Sequence, residues 1–566
     1  MVLKRIHDLV TTPLWIVLLM ACLTATLIMG GCGIEGHDEG EDYGNLSETE
    51  GWQTLDALLS KIRVTHSDAP VDISGAGEAT DELPAIDNYP LSVAGSGQID
   101  IELFSSTEKA GSGTDGWINV VAEQFNSSGA TYQGRTVSVS IRPIASGLAL
   151  DYIDSKKYIP DAFSPANELW GDMIASKGIG ITLIEPKLTG NTAGILMRQD
   201  DHDAITEGYG TVNLPNVLQA ALDGRITLAY TNPYASSTGL NMLTAMLHEF
   251  DPSNPLSETA AKNLLDFQAV SPPVAFTTAE MRNSAAAGVV TAMTMEYQAY
   301  INEPALQNHV FTPFGVRHDS PLYVFDDTAP EKTAALGLFI EYCKSDASQN
   351  RANQYGFNGN PDYLSQAPNL DGAGLYAAQK IWKENKSGGK PVVAVFVADV
   401  SGSMEGAPLA NLKKGLINSA QYISSDNAIG LVSYSGDVNI ELPIAPFDGI
   451  QRAKFAGAVN NLTPGGGTAT YDGVLVALDM IRAERATVPN AHFVIFVLSD
   501  GEQNEGYSLT KIAPVLSAVN IPVHSISYNS GANELEQLSA INEASVIKAD
   551  EDDVIYNLKT MFNAQM

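Results

Sequence analysis

A chain of 566 residues, 44% apolar and 17% charged, is globular in composition and too long for one ordinary domain, so two or three are expected. Its net charge of −34 excludes nucleic acid as a partner, because phosphate recognition needs a basic footprint. The same charge argues against electrostatic adsorption to anionic lipid and is read as a solvated, solubilising surface.

Lys4 and Arg5 precede an apolar run from Leu14 to Met29, short for a membrane span and suited to a signal-peptide core. The run ends in Met29-Gly-Gly-Cys32 and gives way at once to polar, acidic sequence. This resembles a bacterial lipoprotein signal. The resemblance implies that residues 1–32 carry the signal, that Cys32 is acylated, and that the chain is lipid-anchored to the cell membrane outside the cytoplasm. Met29 is not the residue favoured three places before such a cysteine. Leu19-Met-Ala-Cys22 is a second candidate, which would leave Leu23 to Met29 apolar in the mature chain. Cys343, in a helical pattern, then has no intramolecular partner and reads as a small core residue. Stability must come from cores rather than from disulfides.

Residues 33–96 are acidic, small and interrupted, with no lysine or arginine between Cys32 and Lys61. Trp52 to Val64 has the pattern of one short amphipathic helix; the rest reads as a flexible tether. Order is expected from Gln98. Ile99-Asp-Ile-Glu-Leu-Phe104 alternates as a strand and enters Ser105-Ser-Thr-Glu-Lys109. A helix with Val120, Val121, Ala122 and Phe125 follows, then a strand over 136–141, a helix opened by Ala145-Ser146-Gly147, and Pro160-Asp-Ala-Phe-Ser-Pro165 before a helix with Leu169 and Trp170. Strand–loop–helix alternation implies α/β architecture with a mainly parallel sheet.

These segments, with Thr231-Asn-Pro-Tyr-Ala-Ser-Ser-Thr-Gly239 and Gln354-Tyr-Gly-Phe357, resemble the bacterial extracellular solute-binding proteins of the type that includes molybdate and sulfate receptors. The resemblance implies a periplasmic-binding-protein-like region over 97–365, with one lobe at 97–185 plus 318–365, a second at 186–317, and a cleft between. Ser106, Thr107, Ser146, Ser164, Ser236, Ser237 and Thr238 sit before predicted helix starts. Helix N-termini offer unpaired amides and a positive dipole end, so these loops can form an anion site without lysine or arginine. Taken singly, each hydroxyl is a helix cap. Glu296-Tyr297 lies where the family often places a ligand contact. A glutamate there disfavours a simple oxyanion unless it points away, and favours an amine or a cation instead. Residues 366–390 read as a helix, about 373–384, followed by the Gly/Ser-containing boundary Asn385-Lys-Ser-Gly-Gly-Lys390.

From residue 391 the pattern is definite. Pro391-Val-Val-Ala-Val-Phe-Val-Ala398 reads as a buried parallel strand and ends in Asp399-Val-Ser401-Gly-Ser403. Gly465-Gly-Gly-Thr468 precedes a helix from about 471 to 482, and Ser499-Asp500-Gly501 follows the apolar run His492–Leu498. Loops at the carboxyl ends of parallel strands share one edge, so Asp399, Ser401, Ser403, Thr468 and Asp500 can converge. Two carboxylates balance a divalent cation, neutral hydroxyls leave it electrophilic, and six-coordinate Mg²⁺ keeps room for water or a partner's carboxylate. Asp437, Asp472 and Glu502 are read as solvated loop charges near this edge, and His524 as a packed histidine.

This order of motifs resembles the von Willebrand factor A domain, a doubly wound Rossmann-like α/β fold, and its metal-ion-dependent adhesion site over 391–566. It implies Mg²⁺, with Mn²⁺ or Ca²⁺ as substitutes, and a protein or peptide ligand. Ser401 has no G-x-S-x-G elbow and no histidine partner, so hydrolase chemistry is not expected and the chain is read as a non-enzyme. The leading expectation is a surface-anchored binding protein that grips a protein or peptide carboxylate through Mg²⁺ and has a cleft for a small solute, with Glu296 leaving open whether that solute is an anion or an amine. The alternative is the receptor of an ABC-type importer with the A domain as a docking accessory.

Overall fold

The computed structural model describes residues 46–566 except 69, 73–82, 271, 276–280, 283–289, 421–422, 501–502, 529–532, 543, 545 and 550–552. Cys22, Cys32, the signal segment, Gly501 and Glu502 lie outside the described residues. Among the described residues no helix is long and apolar enough to cross a membrane.

The chain builds three sheets. The first lobe has a six-stranded sheet in the order Thr131–Tyr132, Arg135–Pro143, Ile99–Ser105, Ala162–Ser164, Leu322–Phe325, Ile181–Glu185. The second has five strands, His309–Arg317, Thr192–Arg198, Ala292–Glu296, Leu228–Thr231 and Val274–Ala275. The chain therefore crosses between lobes after Glu185 and again after Arg317. Cys343 is buried in the first lobe's core.

The third sheet has seven strands, with Val392–Asp399 at its centre between Ala428–Tyr434 and His492–Ser499, both parallel to it. Its side chains alternate, as a strand's must. Ala394, Phe396 and Ala398 enter one core; Val395 and Val397 enter the other. A strand covered on both faces needs an unbroken apolar run, and that run delivers Asp399 to the sheet's edge.

The expected short helix forms, at Glu48–Leu59 rather than from Trp52, but neither it nor the strand after it belongs to a free tether. Ser47 and Glu50 form a capping box that starts the helix Glu48–Leu59. Leu55 and Leu58 on its inner face join the core that holds Val515 and Leu516. Arg482 bonds Asp56 at 2.6 Å and Arg485 bonds Glu48 at 3.0 Å. Val64–His66 then adds a parallel edge strand to Val438–Pro446. Residues 48–66 are thus part of the C-terminal domain, because a helix with an apolar stripe and an open sheet edge each bury surface by meeting. The boundary helix, Gly372–Asn385, is not a spacer either: Trp382 is buried in the second lobe's core and donates to Tyr230 at 2.7 Å.

The C-terminal helix Val554–Gln565 joins the domains. Tyr556 donates to Asp151 of the first lobe at 3.0 Å, and Gln565 donates to the Val274 carbonyl of the second at 3.1 Å. A cavity of about 520 Å³ lies beside this junction, lined by Val274, Lys386, His492 and His524 among others. His524 is packed, as expected, stacked on Phe496 with ring centroids 5.6 Å apart. Burial pushes its imidazole down to about 3. The unfolded chain therefore takes up this proton first, so stability is full above about pH 6.5 and falls as pH drops through that value towards 3. At about 1.4 kcal/mol per pH unit, roughly 2 kcal/mol is lost by pH 5. Urea midpoints at pH 7.5 and 5 should separate by that amount in the wild type and by less in His524→Phe; equal separations would remove His524 as the cause.

Candidate functional site

At the edge of the third sheet, Asp399 is fully buried and accepts three hydrogen bonds. They come from the Ser401 amide at 2.8 Å, the Tyr434 hydroxyl at 3.2 Å and the Ser499 hydroxyl at 2.6 Å. Ser403 donates to Asp500 at 2.8 Å. A hydroxyl has one proton, so Ser401 is the donor in its 3.0 Å contact with Ser403. Asp399, Ser401, Ser403 and Asp500 thus form one connected set running from a buried anchor to an exposed hydroxyl and a half-buried carboxylate.

The glycine loop closes over this set. The Gly402 amide donates to the Gly466 carbonyl at 3.1 Å, and the Gly465 amide to the Val400 carbonyl at 2.8 Å. Gly466 has φ +83°, a conformation that suits glycine, and a Cβ on Gly467 would meet the Glu505 carboxyl at 2.3 Å. Thr468 is buried; its amide donates to Asn504 at 2.9 Å and its carbonyl accepts from the amides of Asn504 and Glu505. All five expected ligands stand on adjacent loops.

The electrostatics suit a cation. Burial, and next in order of charge effects the Asp399 carboxylate, push the Asp500 carboxyl up, while Ser403 opposes this. Burial and Asp399 likewise push the Tyr434 phenol well up. Two carboxylates held beside each other in a half-buried site favour a divalent partner. Among the described residues no group of three or more His, Cys, Asp or Glu could hold a metal ion. The other polar side chains on these loops are the hydroxyls of Ser401, Ser403 and Thr468. Of the neighbouring carboxylates, one differs from expectation and one does not. Asp472 is buried, not solvated, because it accepts from the Tyr507 amide at 2.9 Å inside the helix Thr470–Arg485. Asp437 is exposed and pairs with Arg63 at 3.1 Å.

Between the lobes, Ser106, Ser146, Ser164, Ser236, Ser237 and Thr238 are buried, whereas Thr107 is exposed. Ser237 donates to Ser146 at 3.2 Å and accepts from Trp170 at 2.8 Å, joining the lobes. Ser236 caps its helix through the Gly239 amide at 3.4 Å. Ser106 makes no cap bond; it accepts from the Lys109 ammonium instead. Tyr297 turns to Tyr300 and Phe311, with its ring 5.2 Å from Phe311. Its neighbour Gln298 reaches across, donating to Asp115 at 2.9 Å.

Glu296 points inward, 3% exposed, and this is the arrangement that disfavours a simple oxyanion. His318 lies 2.6 Å from it and Thr238 donates to it at 3.3 Å. Sequence reasoning missed Glu108, Lys109, Asn167, Asn191, Gln298 and His318. Glu108 and Lys109, both in the quoted Ser-Ser-Thr-Glu-Lys segment, were the two with a signal.

Comparison with known proteins gives two families in this order. Residues 110–358 match the model described as bacterial extracellular solute-binding protein, and 394–564 match the von Willebrand factor type A domain. The inter-alpha-trypsin inhibitor heavy chain H3 of Bos taurus is 30% identical over 180 residues, 29% of this chain and 20% of that one. The chain thus spans about a fifth of the length of that curated relative. Among solved structures, a periplasmic thiamin binding protein is 12% identical with a TM-score of 0.39, covering 52% of this chain and 99% of that one. A von Willebrand factor type A protein from Catenulispora acidiphila is 20% identical with a TM-score of 0.28, covering 31% and 43%.

Proposed function

We propose that this chain, a solute-binding region followed by a von Willebrand factor A domain, is an extracytoplasmic binding protein, lipid-anchored through Cys32, that grips a protein or peptide carboxylate through Mg²⁺. The observation that carries the reading is the connected set Asp399, Ser401, Ser403 and Asp500 at the strand ends. Ser401, Ser403, Thr468 and Asp500 would hold the ion, and Asp399 would hold the loop and add charge. The ion would supply an electrophilic position for an incoming carboxylate. The buried hydroxyls between the lobes support a second role, retention of a small solute.

The test is a titration of the purified chain with Mg²⁺, Mn²⁺ and Ca²⁺, followed by capture on immobilised peptides that present a free aspartate or glutamate. Cation-dependent thermal stabilisation and capture reversed by EDTA are expected. Identical melting and capture with and without cation would overturn the reading.

A further inference from the structure

The polar atoms buried between the lobes are unequally satisfied. Asn241 clamps the Val316 backbone, accepting from its amide and donating to its carbonyl, both at 2.8 Å, so its amide orientation is fixed. Its Nδ2 lies 3.2 Å from His318 Nε2, and Asn167 Nδ2 lies 3.1 Å from the same atom. His318 Nε2 must accept, so the ring proton sits on Nδ1 and is donated to Glu296 Oε1. Glu296 Oε2 is left buried with no partner.

Other acceptors share this state: Glu108 Oε1, Asn167 Oδ1 and Gln298 Oε1. The two amides are not misoriented. Gln298 Nε2 already donates to the Thr114 carbonyl and Asp115, and Asn167 Nδ2 already faces the Ser237 carbonyl. The unpartnered hydroxyls of Ser105, Ser164, Thr192 and Thr294 can donate or accept, whereas Asn191 Nδ2 and Arg282 Nε only donate and these four oxygens only accept. Buried polar groups in folded proteins are normally satisfied, and two of the four acceptor-only oxygens belong to carboxyl groups, for which a charged donor is the strongest partner.

The charges agree. Lys109 is fully buried, but its three N–H groups go to Ser106 and to the carbonyls of Ser164 and Pro165. It has none left for an anion. Arg282 faces Asp115 at 3.4 Å. Glu108 and Glu296 then share one lysine, and they feel each other's charge.

We propose that the cleft takes a small ammonium-bearing solute, whose N–H groups fill the unpartnered oxygens of Glu296, Glu108, Asn167 and Gln298. This rests on the reading of the region as a solute-binding cleft. The two unpartnered donors take the polar remainder of the molecule.

The experiment is calorimetric and thermal-shift titration of the full chain, with Mg²⁺ saturating throughout. The probes are ethanolamine, putrescine, lysine and arginine; tetramethylammonium as a cation without N–H; sulfate and molybdate as anions; and Ca²⁺ and Zn²⁺ as bare metals. At least one amine should bind, tetramethylammonium at least tenfold more weakly, and affinity should fall about 100-fold in Glu296→Gln. That variant keeps an acceptor for His318. Glu108→Gln, which loses no hydrogen bond at Oε1, is the second variant and should also weaken binding. Binding of an anion or a bare metal in place of amines would overturn the amine assignment while leaving the cleft a binding site. Binding of no probe would overturn both.

Discussion

Asp399→Ala is expected to abolish the Mg²⁺-induced thermal shift and to weaken cation affinity by roughly 100-fold or more. The mutation removes one of two carboxylates, and three hydroxyls with Asp500 alone are a poor match for a divalent charge. It also frees the Ser401 amide and the Tyr434 and Ser499 hydroxyls, all of which Asp399 accepts. Each buried donor left unmet costs about 1–3 kcal/mol, so the cation-free protein should melt lower as well. Asp437→Ala is the control. That carboxylate is exposed and its pair with Arg63 is worth about 0–1 kcal/mol, so neither readout should move. A Mg²⁺ shift of wild-type size in Asp399→Ala would remove the metal site.

Leu55→Ala should destabilise the C-terminal domain by about 2–5 kcal/mol, the range for emptying a fully buried leucine site. Leu55 lies on the short amphipathic helix expected within an otherwise tether-like stretch, and on a helix packed against nothing the change would cost little. It belongs instead to the core with Val515, Leu516 and Tyr507, and the Tyr507 hydroxyl donates to the Leu58 carbonyl at 3.0 Å. Deleting residues 46–66 should be harsher still, because it also bares the Val438–Pro446 edge to other chains. Chemical denaturation followed in both variants would check this; unchanged midpoints would return the segment to the status of a tether.

That the loops of the candidate site were legible while the packing of this segment was not has a physical cause. Asp399-Val-Ser-Gly-Ser403, Gly465-Gly-Gly-Thr468 and Ser499-Asp500 each sit at the end of a long regular element, where periodicity declares the position. Val64–His66 has three residues, too few to show alternation, and its partner lies about 374 positions away. Asp472 misled because a charge near a loop is usually solvated, and only the fold brings the Tyr507 amide to it. In the cleft, hydroxyls before helices were readable. His318 and Gln298 were not: they lie in no motif, and their importance comes from where the chain returns between lobes. Glu296 was readable as a residue, but its inward aim depends on His318.

The edge strand Val64–His66 also bears on how the protein is made. The solute-binding lobes are, in topology, an insertion within the C-terminal domain, whose first pieces are synthesised before them and the rest after. At about 5–20 residues per second, Val64–His66 waits on the order of 20–80 s for Val438–Pro446 to be synthesised. The lobes can fold in that interval, but the C-terminal sheet cannot be completed until both are present, so its assembly is the late step in biogenesis.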